Sequence, residues 1–600
     1  MNQRNCMFYL LLACFYFGFV ETGMAQNTYR KQTGNEVENV SRSAFFTGAF
    51  VYERDGQRVL NVLHDGHWYE LDSISGVTKE EIFDYADKTL SKTRIKKRLK
   101  EDLPALVQRM GVKFTKDPLP VVLKSDDGEL KEFSIDISRD KRTLLMSSRG
   151  SLPAKFLEID LASFAQSLRE RFAYLSANDV DLKSEIRQLL EKYPNGIQGE
   201  QYTSELKRIM AKFIDGHADA GGRGRRPEQT LPFLIEPIGD RFVAFYDDRE
   251  SLVDLDFPFV TKIDNVPVKD LIDKFAPMIA QGSPQYILRQ KLRAVRDLGL
   301  ARKLSGLAVQ DKITLELANE AGETKPLTLF ATDNIPIYGT WPRRPKNGIL
   351  KGNLGYMRLD SMDRSAPKTI GNWMGHFQDT DGLVVDVRDN GGGSREALLT
   401  LAGYLMSPDQ TPRVANVCKY RLFKEFDEDH LESRFAYRAP SPRFDERERK
   451  AIKEFMQSFE PEWEPNEAEF SDWHYLVLSK RADDARPFYD KPVVILMNQK
   501  CFSATDIFLG AFKGWPNVTL VGQPSSGGSA RTEEFQLPIS EIEISCASMA
   551  SFQPNGKLYD TNGIKPDVLV EPTPDYFIRG GSDPYLEKAI ELLAKQSTKR

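Results

Sequence analysis

The sequence predicts an α/β multidomain chain in which a helical segment and a mostly β unit precede an α/β core. Three observations predict it. From about residue 340, short apolar runs (DGLVVDVR at 381–388, PVVILMN at 492–498, VTLVGQP at 518–524) alternate with helical patterns. Buried strands separated by helices indicate an α/β layer with a largely parallel sheet. Over 158–214 the apolar residues Leu161, Phe164, Leu168 and Phe172, then Leu206, Ile209 and Phe213, recur at helical steps. Finally, 600 residues that are 40% hydrophobic and 28% charged are enough for several cores, at roughly 150 residues per domain.

Composition excludes other classes. Lys and Arg number 82 against 87 Asp and Glu, a net charge of −5, which lacks the basic excess of a nucleic-acid binder. A mean hydropathy of −0.44 excludes a multi-span membrane protein. Five cysteines are too few for a disulfide-dense scaffold. No internal repeat is visible.

In chain order, residues 1–25 read as a secretory signal peptide: Arg4, an uncharged run CMFYLLLACFYFGFV, then small Gly23 and Ala25 before a cut after Ala25. An uncleaved anchor is the competing reading, although the run is short for a bilayer span. Leu11-Leu-Ala-Cys14 looks like a lipoprotein box, but the apolar run continues through Val20, which argues against lipidation at Cys14. Cleavage would leave Cys418, Cys501 and Cys546, so at most one internal disulfide. No Cys or His cluster has zinc spacing. Residues 26–43 read as a polar leader, 44–75 as a hairpin, 78–111 as a helix opened by a Thr78-x-x-Glu81 capping box, and 117–148 as strand-like. This 26–150 region points to no function. A helical segment (155–225) ends in Asp215-Gly-His217-Ala-Asp219. Residues 230–335 read as mostly β with one long helix near 284–304. The core spans 340–600 and carries a charged insertion or lid at 423–473.

Three loops offer chemistry. Arg388-Asp-Asn-Gly391-Gly392-Gly393-Ser394 joins a strand end to a helix start, where backbone N–H groups and the helix dipole suit a phosphate or an oxyanion. The bland reading is a tight turn, and the phosphate version lacks a P-loop signature. Ser503, in NQKCFSATD, stands at the next strand-to-helix loop. There the dipole would stabilise an alkoxide beside the N–H of Ala504. Ser503-x-x-Asp506 is equally a capping box, and both readings stand. Cys501 is a weaker rival nucleophile, with nothing near it in sequence to depress its pKa. A serine needs a base. Of six histidines, His217 alone closes a helix before a glycine-rich stretch; a solvated loop histidine is the alternative. His64 and His67 read as exposed hairpin histidines.

Taken together, DGH, FVTKIDNVPVKDLI, GNLGYMRL, LVVDVRDNGGGS, VVILMNQKCFSATDIF, VTLVGQPSSGG and NGIKPDVLV, in this order over about 158–595, resemble the carboxy-terminal processing and tricorn-core family of serine peptidases. The resemblance implies a crotonase/ClpP-like α/β core and a PDZ-like β module at 230–335. The family has two catalytic plans. In one, a Lys 25 residues after the Ser activates it; here that position is Gly528, within Ser525-Ser-Gly-Gly528. The tricorn-like plan uses Ser, His and a supporting carboxylate, which implies Ser503, His217 and Asp560. Tricorn-like members carry Glu where Asp560 stands, and Ser where Gly216 precedes the His.

The resemblance therefore implies an exported, periplasmic or extracellular serine endopeptidase acting on peptides or unfolded proteins. Ser503 would be the nucleophile, His217 the base and Asp560 its orienting group, with Gly391 or Gly392 and Ala504 as the oxyanion hole. No metal or cofactor, nucleic acid or further membrane span is expected, and homo-oligomerisation is open. The departures at Asp560 and Gly216 keep a second reading: an inactive relative that binds a hydrophobic ligand or serves as an envelope scaffold.

Overall fold

The computed structural model describes residues 28–33, 36–41, 46, 48–54, 56–65, 67–91, 94–95, 98–99, 103–113, 118–135, 151–221, 227–339 and 344–597. The expected signal peptide lies outside them. The chain divides into two compact units, Met1–Gly150 and Ser151–Arg600. No described helix is long and apolar enough to cross a membrane.

In the first unit, antiparallel strands Gly48–Arg54, Gln57–His64, His67–Ile74, Leu119–Lys124 and Leu130–Ile135 pair in chain order. The hairpin expected over 44–75 is present, with Arg54 opposite Gln57 at its turn, and a third strand follows, with His64 opposite His67. The expected 78–111 helix is divided, with Lys79–Thr89 and Leu103–Arg109 as separate helices. Thr78 and Glu81 form the capping box that the spacing predicts.

The second unit opens with helices Ala154–Arg171, Leu182–Lys192 and Gly199–Met210. All seven periodic apolar residues singled out in the sequence are buried. Next comes an antiparallel sheet in the order Leu234–Ile238, Arg241–Phe245, Phe259–Ile263, Lys312–Ala318, Thr324–Phe330. The single helix expected near 284–304 is two helices, Pro284–Ala294 and Leu298–Leu304. Its break lies at Asp297, whose side chain accepts from the Leu300 N–H and so starts a new helix.

The α/β core holds a sheet ordered Gly348–Leu350, Leu354–Arg358, Gly382–Asp386, Val493–Met497, Val518–Gly522, Val568–Leu569. Every pairing after the first is parallel. Gly382–Asp386 and Val493–Met497 are buried along their whole length, which explains their unbroken apolar sequences. Because these two strands are parallel neighbours, the loops leaving their carboxyl ends lie side by side.

The charged 423–473 segment is woven into a second sheet. Tyr437–Arg438 pairs with His474–Leu478, which pairs with Arg413–Tyr420. Phe444 and Ile452 of this segment pack in a small core with Val414, Val417 and Tyr475.

Candidate active site

The two strand-end loops are locked together. Asp389 N–H donates to Asn498 Oδ1 (3.0 Å), and Asn498 Nδ2 donates to Asp389 Oδ1 (2.9 Å). Burial works to raise the Asp389 carboxyl, but the charges of Arg344 and Lys500 hold it well below the usual carboxylate range. Beneath this loop, the fully buried Arg388 makes paired hydrogen bonds to both Asp386 and Asp583. Asn390 finishes the turn: its Oδ1 accepts from Gly392 N–H and Thr505 Oγ1, and its Nδ2 donates to Leu359 O.

Ser503 precedes the helix Ala504–Phe512 at φ 60° and ψ −122°, a left-handed conformation that costs a non-glycine residue on the order of 1–3 kcal/mol. Its side chain makes no cap hydrogen bond. The capping-box reading therefore fails. Asp506 instead accepts from Ser525 Oγ and Gly527 N–H, and the freed Ser503 Oγ lies 3.1 Å from His217 Nε2.

His217 arrives from the helical segment because Asp219–Ala220 adds a short strand to Glu543–Ala547. Asp215 pins the same turn, accepting from His217 N–H and Ala547 N–H at 2.8 Å each. The Phe502 ring stacks on the imidazole at 4.6 Å. Burial, with the charge of Arg434, lowers His217 to about 4. Its Nδ1 is buried without a hydrogen-bond partner.

Asp560 is close by but does not bond to the imidazole. Its carboxylate accepts from Tyr174 Oη at 2.9 Å, Ser529 N–H at 3.3 Å and Gly216 N–H at 3.4 Å. The carboxylate oxygen near Nδ1 is Asp215 Oδ1, at 3.8 Å. Burial raises Asp560, and burial plus the charge of Asp560 raises Asp215. Asp215, although it stands in the turn that carries His217, and Tyr174 take on roles here only through contacts made by folding. Asp215, His217 and Asp560 each bring one ligand atom within 4.8 Å of the others, a spacing that a cation could bridge. Both carboxylates are already engaged as acceptors of N–H and O–H donors.

Of the expected oxyanion donors, Ala504 N–H opens a helix, where first-turn donors lack intrahelical partners. Gly391 N–H makes no hydrogen bond among the described residues. Gly392 N–H is spent on Asn390. Gly392 (φ +105°) instead provides closeness, since a Cβ there would lie 2.7 Å from Ser503 Cβ.

Phe502 accounts for the glycines at 216 and 528. A Cβ on Gly216 would lie 2.9 Å from its ring, and one on Gly528 only 2.3 Å. The ring fills the space beside position 528. Cys501 is ruled out as a nucleophile: it is fully buried, its Sγ–H donates to Val387 O, and burial pushes its thiol pKa up. Cys418, Cys501 and Cys546 are all free.

Tyr174→Phe removes a buried donor to a carboxylate, so it is expected to cost about 1.5–3 kcal/mol, read as a lower urea midpoint.

Residues 353–570 match a family model described as peptidase family S41. A putative tricorn-like protease C-terminal subunit of Sulfurisphaera tokodaii is 23% identical over 302 residues, covering 49% of this chain and 27% of the relative. A tricorn protease homolog of Saccharolobus solfataricus is 24% identical over 301 residues, covering 49% and 22%. The chain thus spans about a quarter of the length of these relatives. Among solved structures, a serine-to-alanine mutant of CPAF shares the fold at TM-score 0.50 and 18% identity, over 74% of this chain and 98% of that one.

Proposed function

We propose, from the match of residues 353–570 to the model of peptidase family S41, that the chain is an exported serine endopeptidase that cleaves peptides or unfolded proteins through an acyl-enzyme. The observation that carries this reading is the 3.1 Å separation of Ser503 Oγ and His217 Nε2, made by residues 286 positions apart in the chain. In this reading the core is crotonase/ClpP-like and the 230–335 sheet is PDZ-like.

Ser503 Oγ attacks the scissile carbonyl carbon as its proton passes to His217 Nε2. The carbonyl oxygen gains the negative charge and accepts from the N–H groups of Ala504 and Gly391. The imidazolium returns the proton to the leaving amine, and water then hydrolyses the ester with His217 again as base. Asp560 acts at one remove, holding the Gly216 amide and hence the His217 turn.

Hydrolysis of an unfolded protein by residues 26–600 tests the reading. Wild type should cleave and be labelled by a serine-reactive phosphonate, whereas His217→Ala should do neither. The pH profile carries a second expectation. The base is neutral imidazole, whose fraction rises with pH through its pKa. With that pKa lowered to about 4 by burial, kcat/KM should stay near its plateau at pH 5.5 and fall only below that. A limb at or above the ordinary histidine value, roughly 6.5, would mean that Asp215 or Asp560 is ionised and stabilises the imidazolium.

A further inference from the structure

The Gly391 loop also forms one wall of a cavity of about 140 Å³, roughly ten times the ~10–15 Å³ that one water occupies on this measure. Lys500, three residues before Ser503, lines it as well. Glu236, from the edge strand Leu234–Ile238, and Arg289 and Arg293, from helix Pro284–Ala294, also line it. An occupant would therefore sit one residue from Gly392, whose backbone packs on the nucleophile.

The charges in this cavity are unevenly matched. Its two acids are satisfied. Glu236 pairs with Lys500 at 2.6 Å, and Asp389 pairs with Arg344 at 2.6 Å and Lys500 at 3.6 Å. The two arginines are not. Among the described residues, neither has a carboxylate within 4.0 Å: Arg289 donates only to Ser526 Oγ at 2.9 Å, and the Arg293 guanidinium makes no hydrogen bond. They stand four residues apart on one helix, where like charges oppose each other. Burial and the charge of Arg293 also disfavour the protonated form of Arg289. An anion between them would relieve that repulsion, and a guanidinium fork matches a planar carboxylate.

We propose that this cavity is a specificity pocket that takes the carboxylate side chain of an Asp or Glu in the substrate, with Arg289 and Arg293 as its ligands. The proposal rests on the peptidase reading.

Its test uses peptides with amidated and with free C-termini, each in a Glu and a Gln version at every position around the cleavage site. Wild type should prefer Glu over Gln at one position, by about 10–100-fold in kcat/KM, whether or not the C-terminus is amidated. Arg293→Gln should shrink that ratio and Arg293→Glu should invert it in favour of Gln. A ratio measured within one variant is insensitive to how much of it is folded or active. Equal ratios at every position, a preference decided by the free C-terminus, or a ratio unmoved by both Arg293 variants would overturn the proposal. Calorimetric binding of the same peptides to Ser503→Ala reads the pocket without turnover. Glu-selective binding with no hydrolysis by wild type would sink the peptidase reading and leave the pocket standing, whereas hydrolysis without Glu selectivity would do the reverse.

Discussion

Ser503→Ala is expected to lower kcat by about 10⁴–10⁶-fold, the range seen when a serine-type nucleophile that works with its base is removed. His217→Ala should match it, because neither residue functions without the other. The double variant should lose little more, a non-additivity that marks a unit. The same variants report on backbone strain. Ser503 holds φ 60° and ψ −122° while its hydroxyl does no capping work. That conformation is open to glycine. Ser503→Gly should therefore be as inactive as Ser503→Ala and no less stable, despite the entropy that glycine adds to the unfolded chain. Urea midpoints for wild type and both variants check this. Activity above about one percent in Ser503→Ala, beyond the residual catalysis of binding and an oxyanion hole alone, would place the nucleophile elsewhere.

What the sequence disclosed about this site follows from range. Strands such as Val493–Met497 were legible because full burial leaves an unbroken apolar run. Ser503 and His217 were legible because each ends an element in a recognisable loop. Roles that depend on contacts far apart in the chain were not. Asp215 gains importance only when Ala547 N–H reaches its carboxylate, and Asp560 is drawn from the imidazole toward Tyr174, which is 386 residues away. Local pattern also misled where two uses share one spacing. Ser503-x-x-Asp506 reads as a capping box, but the left-handed Ser503 and the pull of Ser525 and Gly527 on Asp506 undo it. The single helix expected near 284–304 failed for a related reason, since its period continues through Asp297 while that side chain caps a new start.

Gly528→Ala should lower both stability and activity, and its cause lies in Phe502. The ring stacks on His217 at 4.6 Å and on Tyr286 at 5.9 Å, and the Cβ of an alanine would lie 2.3 Å from its Cε2. Because the ring is stacked on both partners, relieving the overlap should disturb His217 or the loop that carries Ser503. Overpacking of this kind costs about 1–3 kcal/mol, and a shift near 1 Å between reacting groups can cost about 10²-fold in rate. Both losses should shrink when Phe502→Leu is added, with a coupling of about 0.5–3 kcal/mol in the double-mutant cycle. If the ring is instead irrelevant, the two substitutions will add. Gly528→Lys brings the same Cβ overlap with Phe502 and should be inactive as well.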